Sequence, residues 1–64
     1  MNNFIYTYDV NIANKLIKNG FKLIRKENTE DGLVYVFLNS KDLNTYIKQN
    51  GLKAYVYATN RLNF

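Results

Sequence analysis

The stretch DGLVYVFL, residues 31–38, has six consecutive apolar residues after a turn-forming Asp-Gly pair. A short apolar run bounded by a turn signal is typical of a strand that is buried on both faces. It therefore predicts a central strand of a sheet, and it raises the question of what covers each face of that sheet.

Two similar halves lie around this strand. When the chain is shifted by 31 positions, Asp9 aligns with Ser40 and Gly20 aligns with Gly51. Asp and Ser favour the N-cap of a helix, and a glycine in the left-handed conformation commonly closes one. Apolar residues recur at helical spacing between cap and glycine in both halves. The predicted helices are Val10–Asn19 and Lys41–Asn50.

Each predicted helix lies between two segments rich in β-branched and aromatic residues, and the polar stretch 27–32 joins the middle pair as a hairpin loop. The order βαββαβ with right-handed crossovers predicts a single α+β domain, residues 1–64, of the ferredoxin-like split βαβ type. We expect one four-stranded antiparallel sheet with both helices on one face. The uncharged strands one and three would be central, because lysines on the others suit edges. The strand candidates are residues 4–8, 21–26, 33–38 and 52–57.

Alternation along these strands predicts which side chains face the helices and which face away. The predicted helix-facing residues are Ile5, Thr7, Leu23, Val34, Val36, Leu38, Ala54 and Val56. The opposite face would carry seven rings, which form the candidate partner-binding site: Phe4, Tyr6, Tyr8, Tyr35, Phe37, Tyr55 and Tyr57. Its expected basic rim is Lys22, Lys26 and Lys53.

Seven rings are too many to leave exposed. Each aromatic side chain carries about 150–250 Å² of buriable surface, whereas the largest apolar patch of an ordinary monomer is about 300–600 Å². Four coverings are open: the C-terminal segment with Leu62 and Phe64, a second copy of the chain, another protein, or nucleic acid. A different assignment of the strand faces would also remove the excess.

Composition argues against catalysis and against a cofactor or metal. The chain has no Cys and no His, so the usual nucleophile and neutral-pH base are missing, and its five acids fall at predicted helix starts or in the hairpin loop. The net charge of +4 permits an anionic partner. Because no stretch is typical of a secretion signal or a membrane span, we expect a cytoplasmic protein with no membrane contact.

The two central strands resemble those of the RNA recognition motif. Residues 32–38 are similar to its strand-three signature, with Tyr35 at a base-stacking position, and residues 5–7 are similar to its strand-one signature through Tyr6. Asp31 and Leu33 depart from that pattern. The resemblance implies a single-stranded RNA-binding module that uses Tyr6, Tyr35 and Lys53.

Residues 5–47 also resemble a family of short proteins of unknown function from Gram-positive bacteria and their phages. The matching positions are Ala13, Leu16, Gly20, Phe21, Lys22, Val36, Phe37 and Ser40. This resemblance implies a phage or mobile-element origin, and small proteins of such origin often dock on host complexes, including CRISPR effectors. The expected function is therefore a non-enzymatic inhibitor that binds a host protein complex, with RNA binding as the alternative.

Overall fold

The computed structural model describes residues 3–60. The four strands form one antiparallel sheet in the order β2-β3-β1-β4. This is the predicted α+β ferredoxin-like arrangement, and it confirms that the first and third strands are central. The elements are β1 (Phe4–Thr7), α1 (Val10–Lys18), β2 (Leu23–Thr29), β3 (Gly32–Leu38), α2 (Lys41–Gln49), a single-turn 3₁₀ helix (Lys53–Tyr55) and β4 (Tyr57–Thr59).

Both helices begin at the predicted caps. The Asp9 carboxylate accepts hydrogen bonds from the backbone N–H groups of Asn11 and Ile12, at 2.9 and 3.2 Å. The Ser40 hydroxyl accepts one from the N–H of Leu43 at 3.1 Å. These bonds satisfy N–H groups that have no partner within a first helical turn.

Both helices also end in the same motif. In α1 the N–H of Phe21 reaches back to the Leu16 carbonyl at 3.1 Å, and in α2 the N–H of Leu52 reaches back to the Ile47 carbonyl at 3.0 Å. The intervening Gly20 and Gly51 have φ of 86° and 65°. This is the predicted Schellman closure, in which glycine takes the left-handed conformation without the clash that a Cβ would cause. Each helix ends one residue earlier than predicted.

The hydrophobic core lies between the two helices and one face of the sheet. Thr7 is the fully buried polar residue there; its hydroxyl donates to the Tyr55 carbonyl at 2.7 Å and accepts from the Asp9 N–H at 3.1 Å. Those two bonds tie the end of β1 to the first helix and to the 3₁₀ turn. The core residues are Ile5, Ile12, Ala13, Leu16, Tyr35, Phe37, Leu43, Ile47 and Leu52.

The prediction of which β3 side chains point at the helices is wrong. Ile5 lies opposite Phe37 and Thr7 lies opposite Tyr35, and directly paired residues of antiparallel strands share a face. Tyr35 and Phe37 therefore point at the helices, where they are 8% and 0% exposed. The strand is apolar throughout, so no polar residue marks its solvent side. The larger rings occupy the face that the helices cover, while Val34, Val36 and Leu38 occupy the other.

A bulge in β2 changes the predicted face of Lys26. Leu23 pairs with Phe37 and Arg25 pairs with Val36, which leaves Ile24 as one extra residue. An extra residue reverses the alternation beyond it. Lys26 consequently lies on the helix-facing side opposite Tyr35, with Nζ 5.9 Å from the ring centroid. Its predicted place on the opposite face is wrong.

The fourth strand begins later than predicted. Lys53, Ala54 and Tyr55 form the 3₁₀ turn, and β4 starts only at Tyr57. Tyr55 and Lys53 are therefore not strand residues, and the predicted strand over residues 52–57 is wrong. The hairpin loop is also shorter than predicted, since only residues 30 and 31 separate β2 from β3.

The possible covering by Leu62 and Phe64 lies outside the described residues. Within residues 3–60, neither helix has the length and apolar character that crossing a membrane requires.

A tyrosine cluster on the open sheet face

Three tyrosines lie together on the sheet face opposite the helices, here called the open face. Tyr6 in β1 pairs directly with Tyr57 in β4, and Tyr8 follows β1. The rings of Tyr6 and Tyr57 stack, with centroids 5.2 Å apart and an interplanar angle of 26°. The Tyr8 ring meets both edge-on, at 6.0 and 6.4 Å. We call these three residues the tyrosine cluster.

The tyrosine cluster presents less surface than the seven predicted rings would. Tyr57 is 50% exposed and Tyr8 37%, and Leu38, which pairs with Phe4 on the same face, is 50% exposed. At about 200 Å² per large side chain, these fractions leave roughly 300 Å² of exposed patch. That is ordinary for a monomer. The argument that the face must be covered therefore does not hold, although its composition still marks it as a candidate contact surface.

Aliphatic and charged side chains surround the tyrosine cluster. Val34 and Val36 of the central β3 are fully buried, with Val36 directly opposite Tyr6. Arg25 and Glu27 on β2 lie opposite these valines and form an ion pair with each other. The strand nearest the rings is thus aliphatic, and the charge beside it is internally neutralised.

The phenol of Tyr6 is perturbed by its surroundings. Burial raises the pKa of Tyr6 above its ordinary value of 10.0, and the nearby phenols of Tyr8 and Tyr57 raise that pKa further. Each of these causes disfavours the phenolate, because a buried charge loses hydration and a second negative charge close by repels it. The uncharged form of the Tyr6 phenol is therefore favoured in the tyrosine cluster.

The predicted basic rim is not assembled around this face. Lys26 lies on the helix-facing side, and Lys53 lies in the 3₁₀ turn, where it lines a groove beside α2. Lys22 precedes β2, and its carbonyl accepts a 3.4 Å hydrogen bond from the N–H of Leu38. The three lysines do not converge on one surface.

The pair of stacking residues implied by the RNA recognition motif is also not formed. Tyr35 packs beneath the helices while Tyr6 lies on the open face, so the two rings point to opposite sides of the sheet. Of the seven predicted rings, the structure brings together Tyr6, Tyr8 and Tyr57, and places the half-buried Phe4 on the same face opposite Leu38. Leu38 lies on the open face and not on the predicted helix-facing side, and no local sequence feature marks its exposure.

Across residues 3–60, no three or more His, Cys, Asp or Glu side chains approach closely enough to hold a metal ion. Asp9 serves as a helix cap, and Asp42 lies in the first turn of α2, where a carboxylate is favoured by the helix dipole.

Comparison with other proteins gives a family but no activity. No curated protein and no solved structure shows significant similarity to the chain. The family model described as a domain of unknown function, DUF5659, matches residues 2–63. Because this match covers nearly the whole sequence, the chain belongs to the DUF5659 family.

Proposed function

We propose that this protein is a non-enzymatic binding module that docks on a partner protein through the tyrosine cluster. The observation that carries the proposal is the stacked and edge-on arrangement of Tyr6, Tyr8 and Tyr57, with Tyr57 half exposed. Rings that already pack on one another lose little side-chain entropy when a partner covers them. Tyrosine is enriched at protein interfaces for this reason, and because it offers both an apolar ring and a hydroxyl group.

A protein partner fits this surface better than single-stranded RNA. Nucleic acid needs cations near the stacking rings to meet its phosphates, but Lys26 and Lys53 lie away from the open face. The guanidinium on the open face, Arg25, is paired with Glu27. A cluster of packed tyrosine rings, which offers apolar surface and hydroxyl groups, instead suits an apolar contact surrounded by polar groups.

The finer proposal concerns origin and role. The resemblance of residues 5–47 to short phage and Gram-positive proteins supports a phage or mobile-element origin, and with it a cytoplasmic protein that inhibits a host defence complex in the manner of an anti-CRISPR protein.

Binding is tested by affinity capture from a Gram-positive host lysate with wild type, a Tyr8→Ser and Tyr57→Ser double variant, and Tyr55→Ser as the matched control. Tyr55 is 52% exposed but belongs to the 3₁₀ turn rather than to the tyrosine cluster. We expect the captured protein to be lost with the double variant and retained with the control, and to survive nuclease and high salt. Capture that depends on nucleic acid, or that persists with the double variant, would refute the proposal.

The inhibitory role has a separate test. When the protein is expressed in a host whose CRISPR system targets an infecting phage, we expect more plaques than in the same host without it. The Tyr8→Ser and Tyr57→Ser double variant should not increase the number of plaques. If wild type captures a protein but leaves plaque numbers unchanged, the docking proposal stands and the defence role is wrong.

A further inference from the structure

A second surface lies on the other side of the sheet, where the helices do not reach β4. A groove of 390 Å³ runs between α2 and β4. Its apolar floor is formed by Ile5, Ile47, Val56 and Ala58. The two helices cover the inner strands, and the small side chain of Ala58 leaves the space above the outermost strand open.

The backbone of β4 faces outward along this groove at Ala58. The N–H of Leu38 donates to the Lys22 carbonyl, so the main-chain groups of Leu38 point toward β2. Those of the preceding residue, Phe37, therefore point toward β1. Phe37 pairs with Ile5, and Tyr6 therefore turns its main-chain groups toward its β4 partner, Tyr57. Because these directions alternate along a strand, the N–H and C=O of Ala58 point away from β1.

Positively charged side chains border the groove, one on α2 and one in the 3₁₀ turn. Lys48 on α2 and Lys53 in the 3₁₀ turn line it, and no acidic side chain does so among the described residues that form its walls. Both lysines are exposed. An apolar floor, an outward-facing strand edge and two unopposed cations thus occur within one site.

We propose that this groove binds an extended acidic peptide segment of a partner protein, which adds to β4 as a fifth strand. The main chain of the segment would exchange hydrogen bonds with Ala58. An aliphatic side chain would enter the groove, and acidic side chains two residues to either side would meet Lys48 and Lys53. Addition of a strand to a sheet edge draws affinity from the main chain and specificity from alternate side chains.

The lysines also argue against a second copy of this chain as the occupant. If two β4 edges paired about a two-fold axis, the cationic borders of both grooves would be brought together. Like charges held close together oppose association. A foreign acidic segment gains from the same charges, which are not needed for packing the core.

The proposal is tested by titrating the ¹⁵N-labelled protein with a capped peptide, Glu-Thr-Val-Thr-Glu, and following backbone amide shifts by NMR. We expect saturable shifts centred on Ala58, Lys48 and Lys53, with a dissociation constant below about 1 mM. Two peptide controls separate the contribution of charge from that of main-chain hydrogen bonding. Lys-Thr-Val-Thr-Lys reverses the charge of the peptide, and N-methylation of the valine removes its hydrogen bond to β4. Each should bind about tenfold more weakly or not at all.

Matched variants of the protein test the same contacts by changing the groove instead of the peptide. Replacing Lys48 and Lys53 by Glu should weaken binding about tenfold, whereas the same change of net charge at Lys18 and Lys41, outside the groove, should weaken it less than about twofold. Ala58→Pro should abolish binding because it removes the outward N–H, and proline is tolerated at a strand edge.

Several outcomes would overturn the proposal. Equal binding of the basic or N-methylated peptide would show that charge or strand pairing does not matter, and no saturable shift would show that the groove does not bind such segments. A dimer of the free protein that Ala58→Pro dissociates would identify a second copy as the occupant instead. If Ala58→Pro does not fold, the N-methylated peptide still tests strand pairing.

Discussion

Truncation of Tyr35 and of Tyr57 to alanine tests the assignment of the sheet faces directly. The same chemical change is made at a residue that is 8% exposed beneath the helices and at one that is 50% exposed on the open face. With about 200 Å² per ring and 25 cal/mol per Å², the difference in buried area alone is worth about 2 kcal/mol. Tyr35→Ala also leaves a cavity, so we expect a loss of about 3–5 kcal/mol against about 1–2 kcal/mol for Tyr57→Ala.

The free energy of unfolding is measured by urea titration, followed by far-ultraviolet circular dichroism. A domain of this size has roughly 3–10 kcal/mol in total, so Tyr35→Ala could prevent folding altogether. Phe37→Leu and Phe4→Leu provide a milder pair. Phe37 is fully buried under the helices, so its substitution should lower the free energy of unfolding by about 1 kcal/mol. Phe4 is half-buried, so its substitution should lower the free energy of unfolding by less than half of that amount. Equal losses within both pairs would mean that the faces of β3 are assigned incorrectly.

Two further predictions concern the helix ends and the alkaline limit of stability. Gly20→Ala and Gly51→Ala should each lower the free energy of unfolding by about 1 kcal/mol in the same urea assay. The cost comes from the positive φ of both glycines and not from a clash, because no atom lies within 4 Å of an added Cβ. A substitution that leaves the free energy of unfolding unchanged would contradict the left-handed closure. Because the pKa of Tyr6 is raised in the folded protein, the unfolded chain ionises first as the pH rises above the ordinary value of 10.0. The contribution of Tyr6 to stability is therefore complete below pH 10.0 and is lost as the pH rises through the pKa of the folded protein. Stability measured by urea titration at increasing pH should therefore fall less steeply above pH 10.0 for Tyr6→Phe than for wild type, and parallel curves would refute the assignment.

The local features of the sequence were enough to predict the elements and their order. Asp9 and Ser40 act as caps, and Gly20 and Gly51 end the helices, because these effects depend on one or two neighbouring residues. The rule for the handedness of crossovers then leaves few topologies, and the one predicted is the one observed.

The predicted faces of β1 are correct, because a polar residue marks the pattern there. Tyr6 and Tyr8 alternate with Thr7, whose hydroxyl is consumed by two internal hydrogen bonds, and the strand keeps its predicted faces. Tyr57 also lies on its predicted face, although β4 begins later than predicted, whereas Leu38 lies on the open face instead of the predicted helix-facing side.

Periodicity and capping residues thus define helices, strands and connectivity, since they act over a few residues. Which rings remain at the surface was decided by long-range contacts. An apolar strand such as β3 can turn either side inward, and its direction follows from its register with β1. The extra residue Ile24 in β2 likewise decides the face of Lys26. These interactions join residues far apart in the chain, so alternation within one strand contains no information about them.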